Sequence, residues 1–271
     1  MKYETVPSLT LPKIGYGTGR FGGIIPNRLR DKHWLVVMRS AFELGYTHID
    51  TAEKYALGYS EELIGRTIRD MGLKREDLFI TSKVWPTNAR CKKVISACEG
   101  SLRRLRTDYI DLYLIHWPNP FIPLEDTFRA LNQLAREGKI RRIGVSNFNL
   151  QLLKEAQRLS DTPIFADQVP YSIFHRSYAR NGVLEYCRQN NIILTAYSPV
   201  NHGYLRANKT LRTIANARRV TPHQIALAWL TAQPRVVAIP MSFNPRHQKE
   251  NLEAVNIELT ESEIAQLNQL G

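Results

Sequence analysis

Residues 78–117 read LFITSKVWPTNARCKKVISACEGSLRRLRTDYIDLYLIHW. The first seven, 78–84, form an apolar run of strand length, and 109–117 close the stretch with another. Between them, residues 91–105 carry an amphipathic helical pattern. Short apolar strands alternating with helices at this spacing make a parallel sheet with helical crossovers. Toward the N-terminus the rhythm gives a helix over 60–71 stopped at Gly72, a strand over 47–50 (THID) and a helix over 32–44 stopped at Gly45. A short apolar stretch at 14–16 and a hairpin pairing Tyr3–Val6 with Leu9–Leu11 around Pro7-Ser8 come before these.

Toward the C-terminus the alternation continues. A helix over 124–137 is closed by Gly138 and followed by a strand over 140–147, a helix over 150–159, a strand over 164–170 and a helix over 178–190. A strand over 192–199 and a helix over 209–218 come next. A second helix opens at Thr221 with Pro222 at its first position and Gln224 at its third, a capping box. A strand over 235–240, a helix over 245–254 and a last helix from Thr260 complete the chain. Eight β/α units fit without a linker or a break in composition. Eight closes a barrel, whereas a doubly wound sheet more often has about five to seven strands. The expected fold is α/β: one (β/α)8 TIM barrel domain over residues 1–271, with an N-terminal β-hairpin and an extra C-terminal helix.

Composition narrows the function. The 271 residues are 43% apolar and 23% charged, which excludes disordered, collagen-like and coiled-coil chains. A formal charge of +12 favours anionic partners, whether a phosphorylated small molecule, nucleic acid or a membrane surface. The basic clusters Arg103-Arg104-Arg106, 136–142 and Arg218-Arg219 fall on separate elements without base-stacking aromatics, so a solvated surface is expected and no nucleic-acid partner. Cys91, Cys98 and Cys187 match neither a zinc site nor a redox pair and read as reduced thiols. No signal peptide or run of ~20 apolar residues is present. These features lead us to expect a cytoplasmic monomer with no metal and no membrane partner.

Residues 17–22, Gly-Thr-Gly-Arg-Phe-Gly, match the dinucleotide fingerprint G-x-G-x-x-G of a doubly wound dehydrogenase. No helix starts on the third glycine, because Gly23-Ile24-Ile25-Pro26-Asn27 follows it. Asp50, the acid at the end of the next strand, comes later than the ~20-residue spacing of a ribose contact. A loop after the first strand is the better reading.

The polar residues at the early strand ends form a coherent set: Asp50, Tyr55 just beyond it, Lys83 and His116. In a barrel these ends share one rim, where catalytic residues gather. A tyrosine hydroxyl is a poor acid near neutrality, and a nearby ammonium such as Lys83 favours its phenolate. Asp50 would pair with Lys83, and neutral His116 could donate a hydrogen bond to a carbonyl oxygen. The set suits protonation of an oxyanion forming on a carbonyl. It lacks a hydride donor, which side chains cannot supply, so a nicotinamide is implied.

IDTAEKY (49–55), FITSKVW (79–85), DLYLIHWP (111–118), GVSNF (144–148), DQVPYS (167–172), AYSPV (196–200) and AIPMSFNPRHQKENL (238–252) together resemble the aldo-keto reductases, in that family's order. The resemblance implies a (β/α)8 barrel that reduces aldehydes or ketones with NADPH. It makes Asp50, Tyr55, Lys83 and His116 the catalytic tetrad, with Tyr55 as the acid. Ser146, Asn147 and Gln168 would hold the nicotinamide carboxamide, Tyr197 would stack on the ring, Ser198 and Pro199 would line the pyrophosphate, and Val200 would be a further cofactor contact. Thr18, Gly19 and Asp50 would add contacts to the cofactor. Met241, Ser242, Phe243, Asn244, Arg246, His247, Glu250 and Asn251 fall at the adenosine end. A phosphate there gains from helix N–H groups and the helix dipole.

Departures from the family pattern carry their own expectations. Met241 replaces a common lysine and His247 a common arginine, leaving Arg246 as the cation for a 2′-phosphate. NADPH is expected, with NADH as the alternative nucleotide. Asp167 stands where asparagine often precedes the glutamine, Asn201 where glycine often follows serine-proline, and Gly19 where an aromatic often stands. With no long tail after the last helix, an open pocket is expected around Tyr55 and His116, bounded by Phe21, Trp85, Trp117 and Phe121, for a broad range of carbonyl substrates. The alternative function is a non-catalytic nicotinamide-binding regulatory subunit of the same fold.

Overall fold

The structure is a computed structural model that describes residues 2–7, 9–200 and 204–270. The hairpin is β1 (Tyr3–Val6) and β2 (Leu9–Pro12). The alternating elements follow as β3 (Tyr16–Gly17), α1 (Asp31–Glu43), β4 (His48–Asp50), α2 (Tyr59–Asp70), β5 (Phe79–Val84), α3 (Cys91–Leu105), β6 (Leu112–Ile115), α4 (Leu124–Arg136), β7 (Ile143–Ser146), α5 (Leu150–Leu159) and β8 (Ala166–Pro170). Then come α6 (Ser177–Arg180), α7 (Val183–Gln189), β9 (Ile193–Tyr197), α8 (Tyr204–Ala207), α9 (Lys209–Arg218), α10 (Pro222–Thr231), β10 (Val236–Ala238), α11 (Pro245–Glu253) and α12 (Glu261–Asn268). Eight parallel strands, β3 to β10, lie in chain order in one sheet, with helices between them, which is the expected (β/α)8 arrangement.

The chain packs as two compact units, Tyr16–Asp167 and Met1–Gly15 with Gln168–Gly271. In the first, Asp50 pairs in register with Gly17 and Thr81, and Lys83 with Leu114. Every residue of β5, β6 and β7 is buried, which is why these strands read as continuous apolar runs rather than alternating ones. α4 turns Phe128, Leu131 and Leu134 inward at helical spacing and carries Glu125 and Asp126 in its first turn, where the helix dipole favours acids. α2 and α3 approach so closely that a Cβ on Gly65 would lie 2.5 Å from the Leu105 carbonyl oxygen.

Between β4 and α2 the chain makes a single tight turn with three consecutive left-handed residues, Ala56 (φ 48°), Leu57 (φ 55°) and Gly58 (φ 88°). Only the glycine adopts this conformation without steric penalty. The surroundings hold the turn in place. Arg104 lies across Gly58, where a Cβ would meet its Nε at 2.6 Å. The same Nε donates to Glu61 Oε2 at 2.7 Å, and the Ser82 hydroxyl donates to Glu61 Oε1 at 2.5 Å. Glu61 is fully buried, so α2, α3 and β5 meet at a charged joint behind the turn.

In the second unit, Glu4 of β1 binds Lys13 at 2.5 Å and Arg235 at 2.9 Å, and Ile14 bridges in parallel to Ala238. β9 and β10 pair from Leu194–Val236 to Ala196–Ala238. The capping box read at Thr221 and Gln224 is present, and Thr260 with Glu263 forms a second one at α12. One helix differs from expectation. The pattern over 178–190 is broken into α6 and α7, because Gly182 takes φ 87° and the Asn181 side chain accepts from the Val183 N–H, ending one helix and starting the next. Ser8 of the hairpin turn and Asn201 lie outside the described residues.

Candidate active site

All four residues of the strand-end set belong to the Tyr16–Asp167 unit, and they meet around Lys83. β5 sends Lys83 into a fully buried position, where Nζ donates to Asp50 Oδ1 at 2.7 Å and to the Thr51 carbonyl at 2.7 Å. The same nitrogen lies 3.4 Å from Tyr55 Oη. The Tyr55 and His116 rings meet edge to face at 5.7 Å, and Trp85 stands edge-on to His116 at 5.1 Å. Thr18 pins the end of β4 from behind, its N–H and hydroxyl both donating to the Asp50 carbonyl.

Burial sets the protonation states. Burial pushes the Tyr55 phenol above its usual value, and Lys83 pulls it back through its charge and hydrogen bond without cancelling the rise. The lowering by Lys83 expected from the sequence is therefore present but outweighed. Tyr55 keeps its proton near neutrality, as an acid must. Burial alone would lower Lys83, but Asp50 and Tyr55 outweigh it and hold the ammonium charged. His116 is pushed down to about 3, first by burial and then by the Lys83 charge. It is neutral across the physiological range and presents a hydrogen-bonding ring rather than a cation.

His48, on the same strand as Asp50, is also held down at about 3 by burial and the Lys83 charge. Below about pH 6.5 the unfolded chain binds protons that both folded imidazoles refuse, so stability falls as pH drops from about 6.5 toward 3. Between pH 6.5 and pH 5 the loss is about 2 kcal/mol for each of the two groups. Urea unfolding at these pH values should show it, and His48→Gln should remove about half of the difference.

Two further features escaped sequence reading. The hydroxyls of Thr51, Ser60 and Thr18 form a buried cluster, with Ser60 3.2 Å from Thr51 and 3.1 Å from Thr18. Glu53 accepts from the Trp85 backbone N–H at 2.5 Å and from the Asn88 side chain at 3.0 Å, which anchors the backbone that carries the indole beside His116. Nothing in the sequence marks either role, since both depend on which strand ends become neighbours. Ser146 and Asn147 are buried at the end of β7, where Asn147 is left-handed (φ 65°) and its amide donates to the His116 carbonyl at 3.1 Å.

The aromatic wall is corrected at one position. Phe21, in the loop between β3 and α1, is completely buried and packs edge to face on Trp34 at 5.5 Å, so it does not border an open pocket. Its apolar ring does more inside the unit than at the rim. Trp85 is half-buried, and Trp117 and Phe121 are exposed. Gly19 is exposed, and a Cβ there would lie 3.8 Å from the Tyr55 ring. Gly17 ends β3, residues 19–26 form turns, and α1 starts only at Asp31, so the glycine motif runs into a loop and is not a helix-opening fingerprint.

The second unit carries the other residues read as cofactor contacts. Gln168 is buried on β8, Tyr197 ends β9 half-buried, and Ser198 follows in a left-handed conformation (φ 50°) before buried Pro199 and half-buried Val200. Met241, Ser242 and Phe243 lead half-buried into α11. Asn244 caps that helix by accepting from the Arg246 N–H at 2.9 Å, and Ser242 Oγ accepts from the Asn244 N–H at 3.1 Å. Arg246 pairs with Glu250 at 2.8 Å on the surface, His247 is exposed and Asn251 is buried.

Comparison with known proteins identifies the family. The sequence profile of the Aldo/keto reductase family matches residues 13–271. The chain is 37% identical to methylglyoxal reductase YeaE of Escherichia coli (strain K12) over 267 residues, covering 96% of this chain and 91% of that protein. It is 38% identical to glyoxal reductase of Bacillus subtilis (strain 168), covering 86% and 82%. Among solved structures, the thermostable aldo-keto reductase Tm1743, in complex with the inhibitor epalrestat, superposes with a TM-score of 0.95 at 47% identity over the full length of both chains. An aldo-keto reductase from Klebsiella pneumoniae in complex with NADPH gives 0.89 at 36% identity, covering 100% of this chain and 95% of that one. Among the described residues no helix is long and apolar enough to cross a membrane. With the strand-end set on its parallel strands and a family match over nearly its whole length, this chain belongs to the aldo/keto reductase family.

Proposed function

We propose that the chain is an NADPH-dependent reductase of small aldehydes and ketones, with Tyr55 as the proton donor. The observation that carries this reading is the buried Lys83 ammonium, held between Asp50 Oδ1 and the Tyr55 hydroxyl. As negative charge grows on a carbonyl oxygen beside Tyr55, the phenol gives up its proton and the ammonium stabilises the phenolate left behind. Neutral His116 donates a hydrogen bond to the same oxygen and orients it. Asp50 keeps the ammonium in place and charged. A bound nicotinamide supplies the hydride that no side chain can.

The residues present fit such a nucleotide. In the Tyr16–Asp167 unit, Ser146 and Asn147 offer a buried hydroxyl and amide for the carboxamide. The other unit, by itself, has the buried Gln168 amide for the carboxamide and the Tyr197 ring to stack on the nicotinamide. Gly19 lies beside the Tyr55 ring and Thr18 at the end of β4, Ser198 and Pro199 are assigned to the pyrophosphate, and Val200 adds a further cofactor contact. At the adenosine end, the N-terminus of α11 favours phosphate through its N–H groups and dipole. The Arg246–Glu250 pair is an exposed i,i+4 contact worth about 0.3–0.5 kcal/mol, so Arg246 is readily released to a 2′-phosphate. Met241, Phe243, His247, Glu250 and Asn251 complete that subsite. The relatives named as methylglyoxal and glyoxal reductases support small dicarbonyls as substrates, and the exposed Trp117 and Phe121 extend the range to aromatic aldehydes. We read the protein as a monomer of the cytoplasm.

The test is nicotinamide oxidation followed by absorbance, with methylglyoxal and an activated aromatic aldehyde, using NADPH and NADH in parallel. Faster turnover with NADPH is expected. Equal rates would mean that Arg246 does not select the 2′-phosphate, and tight binding without turnover would favour the non-catalytic regulatory reading. Gly19→Trp, which sets a ring beside Tyr55, should raise KM for the aromatic aldehyde by about tenfold or more and change that for methylglyoxal little.

A further inference from the structure

We propose that Asp167 is a positioning residue of the nicotinamide subsite, acting as a neutral carboxylic acid beneath the Ser146–Asn147–Phe148 turn. The inference rests on the reading that Ser146 and Asn147 hold the carboxamide. Asp167 is completely buried on β8, and neither of its carboxyl oxygens has a hydrogen-bond partner of full geometry. Burial, opposed by the Phe148 backbone N–H, is what acts on it; among the described residues no charged side chain of β7, α5 or β9 contributes. A carboxylate in such a place has no cation to offset its desolvation, so the group is stable there only with its proton. Burial pushes its pKa up to about 8.

The turn above Asp167 needs outside support. Asn147 is left-handed without being glycine, and buried Phe148 follows it. Such backbone is retained only where the surroundings over-determine it. The strands beneath leave no slack: a Cβ on Gly144 of β7 would meet the Ala166 carbonyl oxygen, next to Asp167, at 2.8 Å. From this turn the Asn147 amide donates both to Ser146 Oγ at 2.9 Å and to the His116 carbonyl at 3.1 Å. A protonated carboxyl has the size and the donor–acceptor character of the asparagine that often stands at this position in the family. Once ionised it can only accept, and it draws the Phe148 N–H or water toward itself. The turn that carries Ser146 and Asn147 then shifts, and His116 with it.

Two measurements test this separately. In the nucleotide-free protein, the folded state holds the Asp167 proton between about pH 4 and pH 8 while the unfolded chain does not. The folding equilibrium constant of the wild type should therefore fall by up to tenfold per pH unit across that window relative to Asp167→Asn. Parallel stability curves would overturn the neutral acid. If Asp167→Asn does not fold, the protonated-carboxyl infrared band of the wild type must instead vanish between about pH 7 and 9, and its absence at pH 6 would overturn the proposal. NADPH affinity, measured by fluorescence titration, should weaken about tenfold from pH 7 to pH 9.5 in the wild type and stay flat in Asp167→Asn. A proton on Asp167 with equal pH dependence in both proteins would reject the positioning role alone. Failure of both proteins to bind NADPH at any pH would reject the subsite reading with it.

Discussion

Replacing Tyr55 by phenylalanine is expected to lower kcat for carbonyl reduction by about 10²- to 10⁴-fold while NADPH affinity stays the same. The ring would keep its edge-to-face contact with His116 and its place over the Lys83 ammonium, so only the proton and the oxygen are lost. Lys83 would remain paired with Asp50 and with the Thr51 carbonyl, which limits any loss of stability. Steady-state kinetics together with NADPH titration by fluorescence separate the two effects. Full activity in the variant would remove Tyr55 from the chemistry and reopen the assignment of the whole strand-end set.

Arg104→Ala should destabilise the fold by about 3 kcal/mol, more than any surface ion pair could account for. The loss strands a fully buried Glu61 carboxylate with only the Ser82 hydroxyl against it. By contrast, Arg136→Ala breaks a pair with Asp161 whose side chains are both more than half exposed, and such pairs are worth about 0–1 kcal/mol. Denaturant unfolding of the two variants side by side decides between these magnitudes. Adding Glu61→Gln to Arg104→Ala should restore part of the stability by removing the unpaired charge. Because Arg104 also packs across Gly58, the single variant should lose activity at temperatures well below its unfolding transition.

Much of this was legible in the sequence. Strands β5 (Phe79–Val84) and β6 (Leu112–Ile115) are buried on both faces, so the apolar runs that contain them stand out, and glycines at 45, 72 and 138 mark helix ends because each takes a positive φ there. The strand-end set was legible because a parallel architecture places the C-terminal ends of successive strands side by side. Other features depend on three-dimensional neighbours. The split at Gly182 looks like any helical glycine, and the burial of Phe21 turns on Trp34, which lies across the loop in the first turn of α1. The left-handed turn showed only its glycine, since nothing about Ala56 or Leu57 hints at a positive φ. Arg104 reads as part of a solvated basic cluster and nothing marks Glu61, because the two stand 43 positions apart on helices whose crossing no local pattern specifies.

The turn over 55–58 also acts as a ruler for anyone who would re-engineer this enzyme. Its length and handedness together set where the Tyr55 hydroxyl falls relative to Lys83. Removing or adding one residue would force Ala56 and Leu57 out of their paired left-handed conformations and turn the hydroxyl away from the ammonium. Grafting a differently sized turn from another scaffold should therefore succeed only as a cassette. Such an insert would run from Thr51 to Glu61 and be exchanged together with Arg104, so that the brace arrives with the segment it braces.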